Sequence, residues 1–311
     1  MRSAIGIDLG GTFIKGALVD ETGEILYKEE IPTIAMRGAP DILDRIYRLV
    51  LRLTSPEGMA PRKIEGVGIG IPGFIDDKTG TAIEVVNLGW RNVAIRGPLR
   101  AKLDKPVYLE NDANVAALGE AWIGAGRNRD TAICITLGTG VGGGIILNGK
   151  ILRGVTVMAG EIGHMVLEPD GALCNCGHRG CLETVSSATG VVRLAKEALQ
   201  AGIKSSMDPE DLTSADVFAA LEQGDEVAKH IILHATDTLG RALGILANVI
   251  NPEVMVIGGG MAKAGDALFV PLREAFERYA LQRAAKACDI VPAILGNDAG
   301  VVGAANLALF R

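Results

Sequence analysis

The chain has 311 residues, 48% of them hydrophobic, with 41 glycines, five cysteines and a formal net charge of −6. That length exceeds what one hydrophobic core usually fills, so two lobes are expected. The absence of any long basic run argues against a nucleic-acid partner, whose binding rests on clustered Lys and Arg. No stretch approaches the ~18 uncharged apolar residues that span a bilayer; the greasiest, Leu243–Ile257, is cut by Asn248, Asn251, Pro252 and Glu253.

In chain order, the apolar run at the N-terminus breaks at Asp8, too early for an export signal. The expectation is a cytoplasmic protein whose cysteines are reduced thiols. Ile5–Leu9 reads as a buried strand, Gly10-Gly11-Thr12 as a turn and Phe13–Val19 as a second strand. Such a turn suits a nucleotide phosphate. Glycines let backbone N–H groups approach the oxygens, Thr12 and Lys15 add donors, and Asp8 at the strand end can hold Mg2+, through water. An ordinary hairpin is the plainer alternative.

Pro40–Leu53 carries Ile42, Ile46, Leu49 and Val50 at helical spacing, and Gly66–Ile71 reads as a buried strand. Pro106–Leu109 is a short strand leading into Glu110-Asn111-Asp112-Ala113-Asn114, after which Ala113–Trp122 is helical. A carboxylate at such a junction can accept a proton from a hydroxyl under phosphoryl attack, and Asp112 is the candidate base, with Asn111 placed to orient a hydroxyl. Either residue could equally serve only as the helix cap.

The first motif then recurs: Ile133–Leu137 repeats the apolar strand, Gly138-Thr139-Gly140 the turn and Gly144–Leu147 the second strand. Two such turns at corresponding places suggest two similar lobes that grip the phosphates of one nucleotide. The run Gly138–Gly143 matches G-x-G-x-x-G, but a strand and an Asn148-Gly149 hairpin turn follow where a dinucleotide site demands a helix. No G-x-x-x-x-G-K-[ST] occurs at either turn, which excludes a P-loop there.

Cys174, Cys176 and Cys181 lie within eight residues, with His178 inside the loop and His164 upstream. Three thiolates and one imidazole make a four-coordinate zinc set, and a closed shell of protein ligands indicates a structural ion. Residue spacing alone leaves His164 and His178 as rivals for the fourth position. Glycines 177 and 180 let the loop fold round an ion, and the flanking Glu161 and Glu183 become candidates for holding sugar hydroxyls. Downstream, Asp225–Val249 is a long helix, Val254–Ile257 a strand ending in Gly258-Gly259-Gly260, which could pass close to an adenosine, and Asp298–Leu309 a terminal helix.

These blocks, in this order and over essentially the whole chain, resemble the ROK family of sugar kinases and repressors, within the actin/hexokinase-like ATPase superfamily. The Glu161-to-Glu183 segment is the most specific part of the resemblance. It implies an α/β, two-lobed fold with duplicated ribonuclease H-like lobes around a cleft and a zinc-binding loop at 164–183. The first lobe would be residues 1–112, completed by a terminal helix at 298–311, and the second 113–297. The implied activity is ATP-dependent phosphorylation of the 6-hydroxyl of glucose, with Asp112 as base and Gly73, Asn87, Asn111, Glu161, His164 and Glu183 as sugar contacts. Phosphates would meet Asp8, Gly10, Gly11, Thr12, Lys15, Gly138, Thr139 and Gly140, with Gly258, Gly259 and Gly260 towards the nucleoside. The zinc ligands would be His164, Cys174, Cys176 and Cys181, so the resemblance selects His164 over His178. ATP, Mg2+ and a structural Zn2+ are the implied cofactors, and a homodimer or homotetramer the implied assembly. Other hexoses or N-acetylhexosamines, and polyphosphate as donor, stand as neighbouring alternatives. A non-enzymatic sugar-sensing repressor is disfavoured because the first strand begins near Ala4, leaving no room for a helix-turn-helix.

Overall fold

Residues alternating along the first strands create the layers of the fold. The structure, a computed structural model, describes residues 2–54 and 62–310. Strands β1 (Arg2–Leu9), β2 (Phe13–Asp20) and β3 (Ile25–Pro32) form an antiparallel meander. On one face, Ile5, Ile7, Leu9, Ile14 and Leu18 join a core with Ile42, Ile46, Leu49, Val50 and Leu53 of α1 (Gly38–Thr54), the apolar stripe that the helical spacing predicts. Strand β4 (Lys63–Ile71) pairs parallel with β1. A small antiparallel sheet follows, β5 (Phe74–Asp76), β6 (Thr81–Val85) and β7 (Trp90–Ala94). Helix α2 (Arg96–Leu103) leads to β8 (Val107–Asn111), parallel to β4, and the chain turns into α3 (Asp112–Trp122). The main sheet runs β3-β2-β1-β4-β8.

The second large sheet contains β9 (Ala132–Leu137), β10 (Val141–Leu147), β11 (Lys150–Ile151), β12 (Val254–Gly258) and β13 (Asp289–Pro292), in the order β11-β10-β9-β12-β13. Helices α4 (Glu183–Ser186), α5 (Ala188–Gln200), α6 (Ser214–Glu222) and α7 (Glu226–Ile250) precede β12, and α8 (Asp266–Tyr279) and α9 (Gln282–Ala287) precede β13. The two sheets have the same strand order, as the repeated turn motif predicts. The register agrees as well: Asp8 lies opposite Gly70 of β4, and Thr136 opposite Gly258 of β12. Asn148 and Gly149, both with positive φ (52° and 71°), make the tight turn between β10 and β11 that excludes a dinucleotide-type helix here.

Contacts divide the chain into two units, Met1–Asn128 with Gly144–Gly160 and Leu295–Arg311, and Arg129–Gly143 with Glu161–Ile294. The expected boundary at residue 112 is therefore displaced: α3 belongs to the first unit, as does Gly144–Gly160. The reason lies in the last helix, α10 (Ala299–Leu309), which packs on α3, β1 and β4. Backbone touches backbone there. A Cβ on Gly6 would fall 1.8 Å from the Val301 carbonyl oxygen, and one on Gly303 would fall 1.6 Å from that of Val115. An alternation rule sees α3 only as the helix after β8; it cannot see that small residues on a helix nearly two hundred positions later make its bed.

Gly303→Ala is expected to lower the melting temperature by the equivalent of at least about 2 kcal/mol, because a backbone oxygen must give way. Gly6→Ala, whose Cβ would fall 1.8 Å from the Val301 carbonyl oxygen on the facing side of the same contact, is expected to cost a similar amount. Calorimetry on the two variants checks both costs.

Candidate functional site

The predicted residues form one cluster in each unit. In the first, the turn after β1 is held from below. Gly10 N–H donates to the Phe13 carbonyl at 2.9 Å, and the buried Thr33 donates its hydroxyl to the Gly10 carbonyl at 2.7 Å and its N–H to the Thr12 carbonyl at 2.8 Å. Gly11 and Thr12 stay exposed at the tip, and a Cβ on Gly11 would lie 3.6 Å from Cβ of Asn87, so Asn87 stands beside this turn. Lys15 faces Asp8 across the β1–β2 ladder. Burial pushes the Asp8 carboxyl above its ordinary value while the Lys15 ammonium opposes the rise. The start of α10 also abuts this carboxylate, since a Cβ on Gly300 would fall 2.9 Å from Asp8 Cγ. A helix N-terminus favours negative charge there.

The β8–α3 corner is built from consecutive side chains with different tasks. Asn111 caps α3, its Oδ1 accepting from the N–H groups of Ala113 at 2.9 Å and Asn114 at 3.2 Å, while its Nδ2 donates to the Gly73 carbonyl at 3.3 Å. Gly73 itself sits so close to β6 that a Cβ would meet the Glu84 carbonyl oxygen at 2.2 Å. Asn111 is thus the cap and Asp112 the first helical residue, and the structure places Gly73, Asn111 and Asp112 side by side.

Two residues at this corner escape a sequence reading. Glu110 is buried, and its carboxylate accepts from Arg153 Nε at 2.5 Å, from Asn111 N–H at 3.1 Å and from Asn114 Nδ2 at 3.1 Å. Glu110 could have been suspected from its place in an otherwise buried strand. Nothing about Arg153, in an irregular stretch after β11, signals its partner.

In the second unit, the turn after β9 carries Gly138, Thr139 and Gly140. Gly138 N–H bonds the Gly140 carbonyl at 3.0 Å, and Ala188 N–H at the head of α5 bonds the Gly138 carbonyl at 2.9 Å. Gly259, with φ of 86°, packs against the end of β9, where a Cβ would strike the Leu137 carbonyl oxygen at 2.3 Å. The glycine run 258–260 therefore lies next to the 138–140 turn, a proximity given by the parallel pairing of β12 with β9. A groove of about 630 Å³ opens beside Thr139, lined by Thr189, Val192, Lys196 and Leu212 among others.

The same unit holds the cysteine cluster. One ligand atom from each of His164, Cys174, Cys176 and Cys181 lies within 4.8 Å of the others. His164 Nδ1 is 3.6 Å from Cys174 Sγ, and Cys176 Sγ is 3.5 Å from Cys181 Sγ. His178, 3.5 Å from Cys176 Sγ, is outside this four-atom set, so the geometry favours His164 as the resemblance does. Gly177 and Gly180 take positive φ (91° and 71°), and a Cβ on Gly180 would overlap the Glu168 carbonyl oxygen at 1.5 Å. Hydrogen bonding from the backbone N–H of His178 helps hold the Cys176 thiol down at about 6, which favours the thiolate a metal needs.

Two carboxylates flank the cluster. Glu183 Oε1 accepts from Cys174 Sγ at 2.9 Å and lies 3.7 Å from His164 Nδ1, and Glu161 Oε2 lies 3.9 Å from His164 Nε2. Burial pushes the Glu161 carboxyl up; His164 opposes this and the Glu183 charge reinforces it. Most tellingly, a Cβ on Gly140 would fall 2.6 Å from Glu183 Oε2. The glycine turn and the acid of the cysteine loop, 43 residues apart in sequence, are in contact.

Known proteins resemble this chain over nearly its whole length. The ROK family model matches residues 4–310. A protein named glucokinase from Halalkalibacterium halodurans is 46% identical over 97% of this chain and 93% of its own length. Another of that name from Thermotoga maritima is 40% identical over 97% and 96%. Among solved structures, a ROK family glucokinase from Streptomyces griseus in complex with glucose and AMPPNP superposes with a TM-score of 0.79, at 36% identity over 98% of both chains. By the family match, the long alignments and the shared fold, this chain belongs to the ROK family.

Proposed function

We propose that the protein transfers the γ-phosphoryl group of ATP to the 6-hydroxyl of glucose, with Asp112 as general base. The contact of Gly140 with Glu183 carries this reading. It sets a turn suited to phosphate against a carboxylate suited to sugar hydroxyls, which is what a phosphotransferase needs and a plain sugar receptor does not. The glucokinase names of the relatives and the glucose and AMPPNP in the Streptomyces griseus complex support the substrates.

In this reading Asp112 accepts the proton of the 6-hydroxyl as its oxygen bonds to the γ-phosphorus, and the bond to the bridging oxygen breaks to release ADP. Asn111, Glu161, His164 and Glu183 orient the sugar, with Gly73 and Asn87 as further contacts. Backbone N–H groups of Gly10–Thr12 and Gly138–Gly140, with Lys15, bind phosphates, and Gly258–Gly260 with the groove beside Thr139 receive the nucleoside. Bound Mg2+, which Asp8 would help to hold, supplies charge neutralisation on the phosphates.

The Cys3His set fits a zinc ion by donor type and by convergence. Four protein ligands leave no open position, so its role is to fix the loop. With Nδ1 turned to the thiols and Nε2 away from them, His164 can serve metal and sugar at once. A cytoplasmic location and a homodimer or homotetramer belong to the same proposal; among the described residues no helix is long and apolar enough to cross a membrane.

Sugar 6-phosphate formation from a panel of hexoses and N-acetylhexosamines, with ATP or polyphosphate as donor, tests the substrates; glucose with ATP is expected to give the highest kcat/KM. Asp112→Asn should lower kcat by about 10²–10⁴-fold with sugar binding largely intact, and near-normal turnover refutes the base. Cys176→Ser is expected to lose zinc by elemental analysis and to weaken glucose binding. Retention of both stoichiometric zinc and full affinity counts against the scaffold role.

Asp8→Asn should raise the melting temperature in nucleotide-free, Mg2+-free buffer while impairing turnover. Because the folded-state value of Asp8 lies above its ordinary 3.8, ionising it costs stability as pH rises through that raised value. The gain should therefore be full at pH 7–8 and fade as the pH approaches 3.8.

A further inference from the structure

Beneath the β8–α3 corner lies an ion pair that the proposed chemistry does not use. Glu110 is the only acid of the Glu110–Asn114 block with a wholly buried side chain, and it faces the guanidinium of Arg153. Its two oxygens divide their work. Oε2 takes Arg153 Nε–H at 2.5 Å; Oε1 takes the N–H of Asn111 and the amide of Asn114, each at 3.1 Å. Asn111 and Asn114 bracket Asp112, so Glu110 grips the residues on both sides of the candidate base.

Arg153 is anchored by more than its side chain. Its carbonyl accepts from Ala159 N–H at 3.1 Å, closing residues 153–159 into a loop. That loop contains Val157 at φ of 61°, a conformation a β-branched residue rarely adopts, and a fully exposed Val155. Such a segment has little packing of its own; the Leu152 N–H bond to the Ile145 carbonyl at 2.8 Å and the Glu110–Arg153 ion pair fix where it begins. Glu161, the proposed sugar contact, follows eight residues after Arg153.

We propose that Arg153 is a positioning residue: through the buried Glu110 carboxylate it holds Asn111 and Asn114, and so the first turn of α3, in the setting that presents Asp112 and Asn111 to the sugar. The inference rests on the reading of Asp112 as the base. Without Arg153 the Glu110 charge is buried and uncompensated, and the corner must rearrange to find it water or another donor. A shift of about 1 Å at a reacting group is enough to cost up to ~100-fold in rate. The nucleotide turns at Gly10–Thr12 and Gly138–Gly140 hold their shape through other bonds, so the damage should fall on the sugar side.

Steady-state kinetics on Arg153→Met, Glu110→Gln/Arg153→Met and Asp112→Asn test this. Arg153→Met is expected to lower kcat about 10–100-fold and raise the KM for glucose, with the KM for ATP within about twofold of the parent. The double variant should regain at least about tenfold of the lost kcat, since a side-chain amide at position 110 can still accept from Asn111 and Asn114 without a buried charge. A merely structural loss would reduce the competent fraction and leave both KM values in place; that result overturns the proposal, as does a double variant no better than Arg153→Met. Should Arg153→Met fail to fold, Arg153→Lys, which keeps the charge and changes the donor geometry, is expected to show a smaller rise in glucose KM alone, and a parental KM there is equally fatal. If Asp112→Asn keeps its turnover, the base assignment fails; if it loses turnover while Arg153→Met behaves as the parent, only the positioning role fails.

Discussion

Backbone contact between the last helix and the first unit is the constraint on which the remaining geometry depends. Gly6 and Gly68 on the sheet, Gly119 on α3 and Gly303 on α10 each sit where a Cβ would collide with main-chain atoms. With side chains removed from the interface, α10 lies directly on β1, β4 and α3. Two of the candidate site residues are fixed by this one arrangement. The start of α10 meets Asp8 at the end of β1, and its middle supports α3, whose first residue is Asp112. Asp8 and the proposed base are thereby held against one helix within the first unit.

Around that frame the protein buries acids that a stability-optimised surface would expose. Asp8 and Glu161 are both pushed towards the neutral form by burial. Glu110 keeps company with Arg153, Asn111 and Asn114, and Glu183 with Cys174 and His164. Each carries a desolvation cost that hydrogen bonds or a nearby cation partly offset. Where such a group lies beside a glycine turn, as Glu183 does beside Gly140, the cost falls at the proposed site.

Much of the site was legible because its chemistry is local. The Asp8–Lys15 turn, the Asn111–Asp112 corner and the Cys174–Cys181 loop each pack donors or ligands into a few consecutive residues. Backbone rules also settle the Asn148-Gly149 turn and the exclusion of a dinucleotide site. The small sheet β5-β6-β7 was not legible, its strands being short and half exposed. Arg153 was invisible for another reason: an ion pair 43 residues apart in sequence leaves no periodic trace. The boundary at 112 moved because α3 has two neighbours, β8 in sequence and α10 in space, and the contact with α10 decides where it belongs.

The sequence by itself determined the repeat of two strand–turn–strand motifs, the clustering of three thiols in the cysteine loop and the acid at the head of α3, since each follows from backbone freedom, donor type or spacing within one segment. Only the tertiary structure decided that the His164 ring lies among the three thiols, that Glu183 touches Gly140, that Glu110 is buried against Arg153, and that α3 belongs with the first unit. Those four outcomes depend on which distant segments occupy the same volume, and close packing fixes that only once the whole chain has folded.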